Sequence, residues 1–424
     1  MRSRFLARTA IFDLLSLAVG DVVASLVVFD RPFPWQFRLD VWPMLSYLFV
    51  GLILGTVFSM RTFGTAVPRP SYGRAVTIVA LSVGLTALLL IGSRSYFSRP
   101  FIAVTAGVWL TLAIAHRAVA RSRPWSDRMV LITNQKEFLD HLRLAPHAEI
   151  VTVLDPHGPN GAAPLHEGET LAVDLREVLS EPMARYVAST SLAGFPVRSL
   201  ANVYEQHTGR FALAHITEGW EVSAPLQRTS WYGVTKRIID STLVVLVSPL
   251  VLTLGALIWV IIRLDSRGPA IFSQDRVGRN GQVFTLYKFR TMVDGADEDG
   301  PKFAVVDDER LTRVGKWLRR YRVDELPQLF NVLRGDLSVV GPRPEQPEFV
   351  DGFVQTIPFY AYRHLIRPGL TGWAQVNYGY ADNEADTVEK LTFDLYYLKH
   401  MSIWLDLDVL GKSIWTVLSG FGAQ

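Results

Sequence analysis

The sequence predicts a membrane protein of mixed class, an apolar helical part joined to an α/β part that sits in water. Three observations carry this. Hydrophobic residues fill 49% of 424 positions and mean hydropathy is positive at +0.20, high for a chain wholly in water. Four long apolar stretches (11–29, 43–60, 76–91 and 101–115) crowd the N-terminal part, each near the roughly 20 residues that a bilayer-crossing helix needs. From residue 126 onward, short strand-like and helix-like segments alternate instead.

The four stretches are read as transmembrane helices occupying residues 1–125. Asp13 and Asp21 lie within the first and are costly in lipid, so they are expected to face other helices or the ends. Arginines set the orientation. Arg2, Arg4 and Arg8 precede the first stretch, Arg61, Arg69 and Arg74 separate the second from the third, and Arg117, Arg121, Arg123 and Arg128 follow the fourth. The other loops carry only Arg31 with Arg38 and Arg94 with Arg99. This bias puts both ends of the four-helix unit in the cytoplasm. No cleavable signal is evident, because the first stretch lacks a small-residue cleavage site. The net charge of +3 gives no support to nucleic-acid binding. The absence of cysteine excludes disulfides, thiolate metal sites and a thiol nucleophile.

Residues 126–225 read as a small soluble domain. "RMVLIT" and "AEIVTVLD" are strand-like, "KEFLDHLRLA" and "VRSLANVYEQHTG" helical, and "HGPNGAAP" a loop. The alternation predicts a parallel, Rossmann-like sheet. Its first strand-to-helix turn, "ITNQKEF", has no glycine to let a backbone approach a pyrophosphate, so a dinucleotide site is not expected there. A regulatory or structural role, including dimerisation, is.

The segment 236–268 is a fifth apolar run, long enough to cross. Two features complicate a simple span: Ser248-Pro249 at its middle, and basic residues at both ends (Lys236 and Arg237, then Arg263 and Arg267). Pattern alone leaves open a kinked span or a helix that enters, turns at Ser-Pro and leaves on the same face.

The rest, within a module 226–424, is dense in polar motifs. "SQDRVGRNGQVFTLYKFRTM" predicts a hairpin around Arg279-Asn280-Gly281 and a strand bearing Lys288 and Arg290, two apart and so on one face. Two cations on one face suit a diphosphate, although a solvated strand face has the same look. Arg310, Arg313, Lys316, Arg319, Arg320 and Arg322 then build a positive field ahead of Asp324-Glu325. With Asp324 as an N-cap, Pro327 falls in the first helical turn, and the acids sit where a helix N-terminus keeps a carboxylate ionised. That suits a nucleophile or a Mg²⁺ ligand. A plain helix cap is the bland reading of the pair. Arg343, fixed between Pro342 and Pro344, can fork onto phosphate oxygens.

Together "KRIID", "GPAIFSQDRVGRNG", "KFRTM", "DERLTRVG", "DELPQLFNVLRGDLSVVGPRP", "RPGLTGWAQVN" and "KLTFDLYYLKH" resemble the bacterial sugar transferase family, the monotopic phosphoglycosyl transferases. The four spans and Rossmann-like domain ahead of them resemble its long-form members, which start exopolysaccharide, capsule or O-antigen assembly. The resemblance implies transfer of sugar 1-phosphate from a UDP-sugar, UDP-glucose or UDP-galactose, to undecaprenyl phosphate at the cytoplasmic face of the bacterial inner membrane, with UMP leaving. It makes Asp324 the nucleophile and a Mg²⁺ neighbour, with Glu325 assisting. Lys288, Arg290, Arg343, Arg322 and Gln328 are the candidates for holding phosphates. The resemblance maps a re-entrant helix over about 236–265, broken at Ser248 and Pro249, with membrane lipids around it. A homodimer is also expected from it.

Other readings are weaker. Asp406-Leu407-Asp408 matches a DxD metal motif, but its surroundings read as an amphipathic interfacial helix. "DGADEDG" (294–300) lacks the last glutamate of a Ca²⁺ loop. A direct glycosyltransferase using Asp406 and Asp408 would release UDP. A non-catalytic export regulator would release nothing, and the intact Asp324-Glu325 pair argues against it. No motif reads the sugar, although 377–387 is a guess for its contact.

Overall fold

The structure is a computed structural model that describes residues 2–33, 36, 38–62, 71–96, 98–122, 125–158, 164–213, 231–293, 310–378 and 384–419. Arg69, Arg123, most of the 157–164 loop, the acidic loop 294–300 and residues 379–383 lie outside them. The chain forms two compact units, Met1–Asp127 and Arg128–Gln424.

The first unit holds α1 (Arg2–Phe29), α2 (Trp42–Thr62), α3 (Tyr72–Gly92) and α4 (Arg99–Arg121). Serines start two of them: Ser71 Oγ accepts from Arg74 N, and Ser98 Oγ from Phe101 N. Helix α1 packs on α4, and α2 on α3. A Cβ on Gly20 would stand 2.8 Å from the Thr105 carbonyl oxygen, and one on Gly51 2.6 Å from Ser82 Cα, so these glycines let the helices touch. The acids of α1 do face a neighbour. Asp13 takes both Arg117 Nη atoms at 2.7 and 2.8 Å, and Asp21 takes the Thr105 hydroxyl at 3.2 Å.

The second unit opens with a four-stranded sheet in the order β2-β1-β3-β4, made of β1 (Asp127–Ile132), β2 (Ala148–Leu154), β3 (Thr170–Val173) and β4 (Val197–Ser199). β3 runs parallel to β1 and β4, as the alternation predicts. Helices α5 (Lys136–Leu144) and α7 (Leu200–Thr208) cover one face through Phe138, Leu142, Leu200 and Val203, and α6 (Glu181–Leu192) the other through Met183. At the carboxyl ends of β1 and β3, buried Asp174 accepts from the Thr133 hydroxyl and Arg176 N.

Next comes α8 (Trp231–Asp265), one helix of 35 residues with Pro249 inside it. Proline leaves the carbonyl four residues back unpaired. That carbonyl belongs to Val245, and the Ser248 hydroxyl donates to it at 2.8 Å. Both ends of α8 pack on the body that follows. Near its start, Arg237 donates to the Val332 and Leu333 carbonyls, Asp240 accepts from Ser338 Oγ at 2.6 Å, and Val244 joins Leu286, Val332 and Leu337. Near its end, Ile258 and Ile262 pack with Ala270, Phe289 and Leu318. Between these contacts Val245, Leu246, Leu250 and Leu252 are exposed. Among the described residues, five helices are long and apolar enough to cross a membrane.

The body itself has a hairpin of β5 (Ile271–Val277) and β6 (Val283–Phe289), antiparallel as expected, with Asn280 and Gly281 at positive φ (58° and 75°) in its turn. It continues through α9 (Arg313–Arg320), α10 (Gln328–Arg334), β7 (Ser338–Val340), α11 (Pro347–Thr356), β8 (Gly369–Thr371), α12 (Trp373–Asn377), α13 (Glu384–His400) and α14 (Ile403–Ser419). Strands β7 and β8 pair in parallel so closely that a Cβ on Gly369 would sit 2.1 Å from Gly341 N. This fixes the turn that follows β7.

Candidate active site

Asp324 and Glu325 lie in a 3-10 turn, Val323–Glu325, between α9 and α10. Arg322 enters it in the left-handed region (φ 54°, ψ 25°), folding the chain back so that Asp324 is 9% exposed. The expected helix cap is not what forms. Pro327, not Asp324, stands at the N-cap of α10, because the left-handed Arg322 closes a separate turn through Glu325 N to Arg322 O before the helix begins.

This placement reverses the expected electrostatics. Burial pushes the Asp324 carboxyl up, the Glu325 charge adds to it, and Lys288 and Arg319 pull it back only partly, leaving it at about 6. Lys288 on β6 moves the other way. Burial, then the charges of Arg343 and Arg276, bring its ammonium down to about 8 against the pull of Glu325 and Asp324. Among the described residues the Lys288 ammonium has no hydrogen bond or ion pair, and the charges of Glu325 and Asp324 act on it. Arg343 Nη1 stands 3.6 Å from Glu325 Oε1. Partly buried Arg276 on β5 is lowered to about 10, by desolvation first and Arg343 second. Two acids and four cations from β5, β6, α9 and the turn after β7 therefore act on one another.

The sequence-predicted residues divide. Asp324, Glu325, Lys288 and Arg343 come together. Arg290 goes elsewhere: it follows the last residue of β6, and its Nη2 donates to the Ser266 carbonyl (2.9 Å) and hydroxyl (2.8 Å) just past α8. Its guanidinium thus anchors a helix end, as basic groups do there. Gln328 is buried at the start of α10 and Arg322 is half-buried; neither side chain bonds the acid pair among the described residues. Asp406 is a structural latch, accepting from Tyr232 (2.6 Å), Lys236 (2.5 Å) and Tyr397 (2.6 Å). Helix α14 buries Val409 and exposes Ile403, Leu407, Ile414 and Trp415, the two-sided character expected of an interfacial helix.

Sequence reading placed Arg319 only within a general positive field and missed Arg276 as a site residue. Arg319 Nε donates to Thr291 Oγ1 at 3.0 Å, which holds its charge near Asp324. The available signal was Gly315, one turn earlier. A Cβ there would meet the Thr291 carbonyl oxygen at 1.9 Å, so only glycine lets α9 lie against that strand end. Arg276 gave no signal, since its meeting with Arg343 depends on tertiary folding.

Among the described residues no group of three or more His, Asp or Glu side chains could hold a metal alone. A Mg²⁺ ion, if bound here, would draw on Asp324 and Glu325. They supply two hard oxygen donors whose mutual repulsion a cation relieves, and such an ion takes its other ligands from phosphate and water.

Long apolar helices joined to an α/β body, with a buried carboxylate ringed by cations, define a class: membrane-associated proteins with an anion-ready acidic site. The family model for bacterial sugar transferases matches residues 231–420. A UDP-N-acetylgalactosamine-undecaprenyl-phosphate N-acetylgalactosaminephosphotransferase of Aeromonas hydrophila is 44% identical over 260 residues, 60% of each chain. An undecaprenyl-phosphate glucose phosphotransferase of Komagataeibacter xylinus is 42% identical over 192 residues, 44% of this chain and 36% of that one. A UDP-glucose:undecaprenyl-phosphate glucose-1-phosphate transferase of Caulobacter vibrioides is 41% identical over 201 residues, 46% of this chain and 73% of that one. The match spans less than two thirds of the first two relatives. The chain belongs to the bacterial sugar transferase family.

Proposed function

We propose that this chain moves a sugar 1-phosphate from a UDP-sugar to undecaprenyl phosphate, releasing UMP, at the cytoplasmic face of the bacterial inner membrane. The observation that carries this is the buried Asp324 beside Glu325 within reach of the charges of Lys288, Arg319, Arg343 and Arg276. An Asp324 oxygen attacks the sugar-bearing phosphorus, and the bond from that phosphorus to the UMP oxygen breaks. The undecaprenyl phosphate oxygen then attacks the same phosphorus, and the bond to Asp324 breaks, restoring the carboxylate. The cations reduce the repulsion between a carboxylate and a diphosphate and orient the latter for in-line displacement. Glu325, held toward Arg343, aids the first step by keeping that arginine in place. Asp324, with Glu325 beside it, would hold a Mg²⁺ ion, and such an ion would supply further charge neutralisation at the phosphates.

Support for a re-entrant α8 comes from its two ends. Both pack on the same body while the middle offers bare leucines, an arrangement a lipid-dipping helix requires. Ser248 supplies the hydrogen bond that Pro249 withholds, as any break within hydrocarbon demands. Within the second unit, residues 126–225 and 226–424 are taken as separate modules, the latter carrying the chemistry. Direct sugar transfer through Asp406 is disfavoured because three donors already occupy that carboxylate.

Release of UMP from a panel of UDP-sugars, including UDP-glucose, UDP-galactose and UDP-N-acetylgalactosamine, tests the reaction with undecaprenyl phosphate and Mg²⁺. Release of UDP, or of no nucleotide, would sink it. Topology is testable cleanly because the chain has no cysteine. Gly233→Cys and Arg267→Cys should label from the same side of sealed vesicles; labelling from opposite sides means that α8 crosses.

A further inference from the structure

We propose that Arg363 is a positioning residue for Arg343, acting through the backbone of the Pro342-Arg343-Pro344 turn; this rests on the reading of Arg343 as a phosphate-holding group. Three consecutive carbonyls of that turn are each held by a different element. Gly369 N donates to Pro342 O at 2.8 Å, Arg363 Nη2 to Arg343 O at 2.9 Å, and Arg276 Nη1 to Pro344 O at 3.2 Å. Proline fixes its own φ and restricts the residue before it, so Arg343 keeps little freedom except the direction of its peptide. Pulling its carbonyl inward turns the side chain outward, toward Glu325.

Arg363 is itself immobilised. It is buried, its Nη1 donates to the Tyr360 hydroxyl at 2.6 Å, and its Nη2 meets Asp394 Oδ2 at 2.8 Å. Asp394 is buried on α13, and Tyr360 lies almost wholly inside the core. A buried arginine that contacts the reacting groups only through a main-chain oxygen acts by geometry. Its removal should therefore weaken donor binding by way of Arg343 and by no other route.

A double-mutant cycle reads this directly. Arg363→Lys keeps the charge but not the fork, and should raise the KM for the UDP-sugar about tenfold with kcat changed less. In an Arg343→Ala background the same change should cost less than about twofold further. Losses that multiply across the two sites would overturn the proposal. If Arg363→Lys does not fold, Tyr360→Phe removes a single oxygen and enters the same cycle, with about a threefold loss expected only where Arg343 is present. If the wild type releases no UMP, the functional reading fails by itself. Equilibrium binding of a UDP-sugar to the four proteins then decides the clamp, which stands only if Arg363→Lys weakens binding in an Arg343-dependent way.

Discussion

At the scale of single residues, the site is a competition between burial and charge. In the proposed reaction Asp324 attacks phosphorus as its carboxylate, and it sits near 6, so kcat/KM should climb as pH rises through about 6. Lys288 near 8 sets the other limb, since its positive charge is lost above that value. A bell between these limbs is expected; a profile flat from pH 5 to 9 would remove Asp324 and Lys288 as the controlling groups. Asp324→Asn should lower UMP release by about 10³-fold or more. The same variant should be more stable. A carboxyl raised in the folded state binds a proton there that the unfolded chain has released, so stability falls as pH rises from about 4 to about 6 and stays lower above. Relief of that penalty at pH 7 is on the order of 2–3 kcal/mol, readable as a higher Tm. Most of this was beyond sequence reading. The Asp-Glu pair and Arg343 were visible as motifs, but a helix cap predicts an ionised acid, whereas the left-handed Arg322 turns the carboxylate inward. Arg290 looked equivalent to Lys288 because spacing ignores where a strand ends.

At the scale of elements, what repeats locally was readable and what meets across the fold was not. The hairpin at Asn280-Gly281 follows from its own turn chemistry, and the parallel sheet from alternation. The contact of α9 with Thr291 spans two elements separated in sequence, and only Gly315 hints at it. Gly315→Ala should force α9 away from Thr291, costing about 2–4 kcal/mol and lowering activity through displaced Arg319. Tm and UMP release measured together check this, and an unchanged Tm counts against the close approach. In α8, Ser248→Ala leaves the Val245 carbonyl without its substitute donor and should cost about 1–2 kcal/mol. The donor missing at Pro249 was legible in the sequence; that Ser248 replaces it within a continuous helix needed the structure.

At the scale of the second unit, α7 and α13 are joined by buried charge. Glu205 on α7 accepts from Lys399 Nζ at 2.9 Å and lies 3.1 Å from His400 Nε2. Burial raises the Glu205 carboxyl, yet His400 and Lys399 together outweigh it and leave it lowered. A lowered acid contributes stability that is present above its ordinary range and lost as pH falls through its folded value. The α7–α13 contact should therefore loosen in acid, and Glu205→Gln should loosen it at neutral pH by about 1–3 kcal/mol. Hydrogen exchange in α7 and α13 reports this, and equal protection in wild type and variant would exclude it. The leucines bared along α8 have a practical consequence as well. Removing residues 1–127 takes away four of the five long apolar helices among the described residues, but not that one. A shortened protein starting at Arg128 should still sediment with membranes and need a surfactant to be extracted, whichever way α8 runs.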